Sequence, residues 1–180
     1  MLEGKAVNLR IMEKDEVPIF VEWANKPEFF GKYNPLVQMT KTEAEKMLDN
    51  PSDFSLFFVE KKDGNKIGFI CHFHVLHLGT GSKQLEIGYS LIPAERGKGY
   101  CSEAVKIMID YLFLSKDVMR IQAQTDQRNI ASQKVLEKAG FKKEGTLRRN
   151  FFLHGEWTDD YIYSVLREEW KEPRILTKTK

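Results

Sequence analysis

Near the start of the chain the apolar positions follow a helical period. Ala6 to Ile11 reads as a first strand, and after it Val17, Phe20, Val21 and Ala24 recur at i, i+3, i+4 and i+7, a stripe on one helical face that should end before Pro27. Thr40 or Thr42 caps a second helix through Leu48, closed by Asp49, Asn50 and Pro51. The period then changes. Phe54 to Glu60 and Lys66 to Leu78 are rich in aromatic and branched residues and flank the turn string LysAspGlyAsn at 62 to 65, which predicts an antiparallel hairpin. Gly79, Thr80, Gly81 and Ser82 turn the chain again into Gln84 to Leu91, a third strand stopped by Pro93. From Gly99 to Leu114 the helical period returns, with Val105, Met108, Ile109 and Leu112 on one face. Arg120 to Thr125 is a short strand, and Asn129 to Ala139 a helix stopped by Gly140. Phe141 to Leu153 and Asp160 to Arg167 flank HisGlyGluTrp at 154 to 157 and form a closing hairpin. The predicted order is βααβββαβαββ, an α/β (α+β) mixed sheet with helices on it.

Composition bounds the class. At 180 residues the chain suits one domain, 1–170, with a polar, mobile tail at 171–180, and it has no repeat and no linker that would separate two cores. With 42% hydrophobic and 30% charged residues it reads as a globular chain, neither disordered nor collagenous. Its 28 basic and 26 acidic residues leave a net charge of +2, without the basic excess that a nucleic-acid surface needs. No stretch approaches the ~20 apolar residues that span a bilayer, and the first residues lack a signal-peptide core, so no membrane partner is expected. Cys71 and Cys101, two distant thiols, fit a reducing, cytoplasmic setting better than a disulfide framework.

Candidate chemistry concentrates in residues 88 to 104, GlyTyrSerLeuIleProAlaGluArgGlyLysGlyTyrCysSerGluAla, which run from strand through a proline-broken loop and a glycine pair into a helix. Gly97 and Gly99 let the backbone approach a ligand. The amides from about Gly97 to Ser102 would be the unpaired first donors of the helix, where a phosphate or pyrophosphate fits. Arg96 and Lys98 would reinforce the anion, or be solvated surface charges; a plain helix entry is the competing reading. The ATPase-type phosphate loop is absent, because Ile92 stands five residues before Gly97 and Gly99 follows Lys98. The dinucleotide fingerprint lacks its third glycine, although Asp126 at the next strand's end keeps a nucleotide alternative open.

ArgGlyLysGlyTyr followed by SerGluAla, then AsnIleAlaSer at 129 to 132 and LeuGluLysAlaGlyPheLysLysGluGlyThrLeuArg at 136 to 148, resemble the GNAT superfamily of acetyl-CoA-dependent N-acetyltransferases. The likeness is closest to the branch of ribosomal-protein N-terminal acetyltransferases and related spermidine and aminoglycoside acetyltransferases. It extends to TrpThrAspAspTyrIleTyrSerValLeu at 157 to 166. The resemblance implies a splayed central sheet, with acetyl-CoA entering the gap between Glu86 to Leu91 and Arg120 to Thr125. It implies direct transfer to an amine in a ternary complex: a protein amino terminus, or alternatively a small polyamine or aminoglycoside. A non-catalytic acyl-CoA-binding sensor is the other alternative, and homodimers are frequent in the family.

By the same resemblance, backbone groups around Tyr89, Ser90, Leu91 and Ile92 would pair with the pantetheine arm, one amide polarising the thioester carbonyl. Gly97, Lys98, Gly99, Tyr100 and Ser102 match the pyrophosphate loop with Arg96 beside it, while Ala94 stands where the family often has Gln or Arg. Asn129 matches the cofactor-supporting asparagine, though Asn is also a favoured helix cap. Leu136 replaces the usual tyrosine acid, leaving Ser132, with Tyr161 or Tyr163 in reserve, to protonate the thiolate. Glu86 is the candidate base, against a plain surface carboxylate, because an aliphatic amine of pKa ~10.4 is only about 0.04% neutral at pH 7. No metal is expected: in a strand His72 and His74 share a face and His77 points opposite. Cys101 near a helix start could carry an acyl group, but the family transfers directly.

Overall fold

Eight strands pair into one sheet in the computed structural model, which describes residues 1–49, 54–75 and 84–176. The strands are β1 (Leu2–Glu3), β2 (Val7–Ile11), β3 (Phe54–Lys61), β4 (Lys66–His74), β5 (Gln84–Leu91), β6 (Arg120–Asp126), β7 (Lys142–Leu153) and β8 (Glu156–Leu166). Their order across the sheet is β1-β2-β3-β4-β5-β6-β8-β7, and β5 with β6 is the parallel pair. The helices are α1 (Val17–Ala24), α2 (Pro27–Phe30), α3 (Lys41–Met47), α4 (Tyr100–Ser115) and α5 (Ile130–Ala139). Relative to the predicted order, the edge strand β1 and the single-turn α2 are additions. Pro27 ends α1 as expected, but its fixed φ also starts a new helical turn. The turn expected at 79 to 82 lies outside the described residues.

The middle strands are apolar on both faces because helices cover both. On one face Val7, Leu9, Phe57, Ile70, Leu85, Ile87 and Ile121 meet Val105, Met108, Ile109 and Leu112 of α4, the stripe read from the period. On the other, Leu56, Phe58, Phe69 and Cys71 meet Val17, Phe20 and Ala24 of α1, Phe29 of α2 and Ala44 of α3. Thr40 caps α3 in a reciprocal box: its hydroxyl accepts from Glu43 N at 3.2 Å while Glu43 accepts from Thr40 N at 2.7 Å. Gly140 ends α5 at φ +96°, a left-handed position that suits glycine. Among the described residues no helix is long and apolar enough to cross a membrane.

The segment expected to be a mobile tail from 171 is held as far as Leu176. Asp110, fully buried on α4, accepts from Trp170 Nε1 at 2.9 Å and from the backbone amides of Arg174, Ile175 and Leu176 at 2.9, 2.7 and 3.1 Å. Arg174 Nη1 also donates to Ala139 O at 2.9 Å, satisfying a carbonyl at the end of α5. A polar tail thus docks because a buried carboxylate needs donors and the passing backbone supplies them. Residues 177–180 lie outside the described ones.

His72 on β4 is 2% exposed between the rings of Phe57 and Tyr111, and neither ring nitrogen has a hydrogen-bond partner. Burial pulls its pKa down from 6.5 to about 4, so below pH 6.5 the unfolded chain takes up a proton that the folded one refuses. This contribution to stability is complete above pH 6.5 and is lost as pH falls toward 4, reaching on the order of 3 kcal/mol. Thermal melts at pH 7 and pH 5 should therefore differ less for His72→Phe than for the parent; an equal drop in both would contradict the buried neutral imidazole.

Candidate functional site

The parallel pair β5 and β6 stays together for three positions, Gln84 with Arg120, Leu85 with Ile121 and Glu86 with Gln122, and then parts. Beyond that point β6 follows β8 as far as Asp126 with Asp160, while β5 follows β4 as far as Leu91 with Gly68. Ile92 N donates to Ile67 O at 2.9 Å, which fixes the phase of the β4–β5 ladder. By antiparallel alternation Gly88 and Ser90 turn their backbone groups toward β4, and Ile87, Tyr89 and Leu91 turn theirs into the gap. The splayed central sheet is thus present, and the gap opens into a cavity of about 660 Å³.

At one end of the cavity lies the glycine loop. Gly97 and Gly99 sit at φ +76° and +87°, and a Cβ on either would meet nothing within 4 Å, so the backbone twist, not crowding, calls for glycine. Gly99 precedes α4 without a side-chain cap, and Glu103 N bonding Gly99 O at 3.2 Å is the first helical bond. The amides of Tyr100, Cys101 and Ser102 are therefore first-turn donors, and the helix adds partial positive charge. Gly97, Gly99, Tyr100, Cys101 and Ser102 all line the cavity, which is the cradle an anion needs. Lys98 does not line it; it pairs with Glu95 at 3.0 Å.

Arg96 lines the cavity but is already engaged. Its Nε donates to Leu91 O at 2.9 Å and its Nη2 to Phe29 O at 2.5 Å and Glu28 O at 3.1 Å, tying the end of β5 to α2. Ile92 is absent from the lining, its N–H given to Ile67 and its carbonyl accepting from Glu95 N. Burial pushes the Cys101 thiol up to about 12, overriding the helix start, so it is no ready nucleophile.

Midway along the gap the Tyr89 hydroxyl and Ser132 Oγ are hydrogen-bonded at 2.9 Å. Burial holds the Tyr89 phenol well above its ordinary pKa, so it stays protonated. Asn129 caps α5, its Oδ1 accepting from Ser132 N at 3.1 Å, and this cap sets the hydroxyl of Ser132 against the cavity. The tyrosine side chain escaped the sequence reading, which took only the backbone of Tyr89. Tyr161 lies on the opposite side of β8 from the cavity wall, packed against the α4–α5 core with Lys143 over its ring, and does not line the cavity. Tyr163 is buried and donates to Glu137 at 3.3 Å.

Glu86 marks the closed end of the fork. Its Oε2 accepts from Gln122 Nε2 at 2.8 Å and Gln124 Nε2 at 3.2 Å, behind the cavity surface that Gln124 helps line. From there a polar row continues: Asn150 Nδ2 donates to Gln124 Oε1 at 2.8 Å and to Asp160 Oδ2 at 2.9 Å. Asn150, itself exposed, is set over Gln124 and Asp160 by a bulge in β7 between Leu147 and Phe151, where Arg149 has φ +48° and its amide is held by Asp159 at 2.8 Å. Burial raises the pKa of Asp160, with the neighbouring charges of Asp126 and Asp159 adding to it. The sequence offers no signal for the bulge, since neither Gly nor Pro marks it. Phe30 to Pro35, Phe151 and Leu153 complete this wall. Among the described residues no three His, Cys, Asp or Glu side chains gather as metal ligands, and His77 lies outside them.

Residues 7–142 match the family described as acetyltransferase (GNAT) domain. The probable N-acetyltransferase YjcK of Bacillus subtilis (strain 168) is 30% identical over 182 residues, spanning 94% of this chain and 98% of that protein. Two solved structures share the fold. The ribosomal-protein-S5-alanine acetyltransferase from Vibrio fischeri aligns at a TM-score of 0.77 and 24% identity, over 94% of this chain and 98% of that one. The spermidine N-acetyltransferase from Vibrio cholerae, in complex with CoA and spermine, aligns at 0.80 and 19% identity, over 93% and 99%. A forked sheet that opens on a helix start, in a chain matched by the family over most of its length, has one reading: this protein belongs to the GNAT family of acetyl-CoA-dependent N-acetyltransferases.

Proposed function

We propose that the protein transfers an acetyl group directly from acetyl-CoA to a primary amine, the amino terminus of a protein such as a ribosomal protein, within a ternary complex in the cytoplasm. The observation that carries this reading is the fork: strand edge, helix start and the Tyr89–Ser132 hydroxyl pair all face one cavity. In this reading the pyrophosphate lies on the amides from Gly97 to Ser102. The pantetheine arm runs along the free edge of Ile87, Tyr89 and Leu91, and one of those amides polarises the thioester carbonyl. Asn129 supports the cofactor from the start of α5 while capping that helix.

The amine approaches from the wall of Phe30 to Pro35, Phe151 and Asp160. Its nitrogen bonds to the acetyl carbon as the C–S bond breaks. The amine's proton passes through water to Glu86 at the closed end of the fork, and Ser132, backed by the Tyr89 hydroxyl, gives its proton to the departing thiolate. An aromatic wall suits the first side chains of a peptide. A small polyamine is the second reading, favoured by the likeness in fold to a spermidine acetyltransferase.

Calorimetric titration should give micromolar binding of acetyl-CoA and none of ATP or NAD; tighter ATP or NAD binding would overturn the reading. Gly99→Ala should weaken acetyl-CoA about fivefold to thirtyfold, because alanine at φ +87° costs roughly 1–2 kcal/mol. Ser132→Ala should leave acetyl-CoA affinity unchanged and lower kcat by about two orders of magnitude, with a smaller loss in Tyr89→Phe. An unchanged kcat in Ser132→Ala would remove the hydroxyl pair from the mechanism. A parent that binds acetyl-CoA and turns over no amine would leave a sensor in place of an enzyme.

A further inference from the structure

Three carboxylates line the cavity, Glu95, Asp126 and Asp160, and two of them are already matched by cations. Glu95 pairs with Lys98 at 3.0 Å and lies 3.8 Å from Lys61. Asp126 accepts from the Arg128 amide at 2.8 Å, from its Nε at 3.0 Å and from its Nη2 at 2.8 Å, while the same guanidinium reaches Glu156 at 2.6 Å. Asp160 is the exception. It is 2% exposed, and its side-chain partner is the neutral amide of Asn150 at 2.9 Å. Among the described residues no Lys, Arg or His stands in ion-pair contact with it. Arg128 acts on Asp160 only from beyond ion-pair distance and is itself committed to Asp126 and Glu156, so a buried carboxylate is left without a contacting cation, and one arriving in the cavity would relieve that cost.

The surroundings keep this carboxylate in place. The β7 bulge delivers Asn150, which bridges Asp160 to Gln124, and Gln124 in turn donates to Glu86. The row extends from the closed end of the fork to Asp160 with neutral amides between its two carboxylates. Asp160 lies on the wall shared with Phe151 and Leu153, a pairing of one charge with apolar surface that fits an ammonium on a carbon chain.

We infer that Asp160 is the specificity-determining anchor that receives the acceptor's primary ammonium group in the cavity. This rests on the proposed transfer to a primary amine. It adds a division of labour: Asp160 receives the amine as the ammonium ion that dominates at neutral pH for both a peptide amino terminus and a polyamine, and Glu86, through water, takes the proton whose loss frees the nitrogen lone pair before attack. Ammonium is the shared chemistry; peptide and polyamine are its two sources.

The test compares the parent with Asp160→Asn, using acetyl-CoA and two acceptors, a tetrapeptide with a free amino-terminal serine and spermidine. The arm that the parent acetylates identifies the source. In that arm Asp160→Asn should raise the KM for the amine about tenfold or more, with kcat within about threefold of the parent and acetyl-CoA affinity unchanged. An unchanged amine KM in an active variant overturns the anchor and leaves the acetyl-transfer reading standing. A parent that binds acetyl-CoA but acetylates neither acceptor overturns that reading and the anchor with it. If Asp160→Asn melts below the assay temperature, Asn150→Ala takes its place, keeping the charge but removing its holder. A rise of about threefold or more in the same KM is then expected, and an unchanged KM overturns the proposal.

Discussion

Everything in this protein's chemistry depends on β5 and β6 separating after Glu86 and Gln122. A parallel pair in the middle of a sheet would ordinarily satisfy its backbone groups along its whole length. Here each strand keeps its outer neighbour and gives up the inner one, so the Ile87 carbonyl, Tyr89 and Leu91 present an edge to the gap, the Ile87 amide closing the last rung with β6. One of those groups is recovered internally, the Leu91 carbonyl by Arg96 at 2.9 Å. The rest form a ladder waiting for an extended polar chain, and the pantetheine arm of CoA has amide groups suited to it. The helix start lies at the open end because a short 3-10 turn at Pro93–Glu95 and two left-handed glycines swing the chain back across the gap.

The element order was legible because local periodicity reflects two-sided burial. The α4 stripe of Val105, Met108, Ile109 and Leu112 and the capping threonine of α3 stand where the spacing put them. Single-turn α2 and two-residue β1 carry too little sequence for any period to register. The candidate site was legible where backbone mattered more than side chains: Gly97 and Gly99 have the left-handed conformation that glycine suits, while Asn129 and Ser132 were singled out by a motif resemblance and stand together at the start of α5.

What stayed hidden depends on partners distant in sequence. Arg96 stands beside a glycine loop, and nothing in the sequence announces the carbonyls of Glu28 and Phe29 that its Nη2 meets. Ile92 looks like another rung of the edge until the bond to Ile67 sets the phase. Tyr161 alternates with Asp160 along β8, so a single step of register decides which of them meets the cavity. No sequence window contains both halves of any of these decisions. The docked segment through Leu176 follows the same pattern, since its holder, Asp110, lies more than sixty residues away.

Arg96 has a wider meaning for how such a protein can diversify. Because one guanidinium clasps the end of β5 to the carbonyls of α2, the cavity-lining loop that follows α2 is not an independent module. Swapping that loop for one of another length or path keeps the end of β5 in place only if α2 still brings the Glu28 and Phe29 carbonyls to the same clasp. The β7–β8 hairpin reaches the cavity from the other flank through Phe151, Leu153 and Asp160 without touching the clasp, so that wall can be rebuilt without disturbing the end of β5.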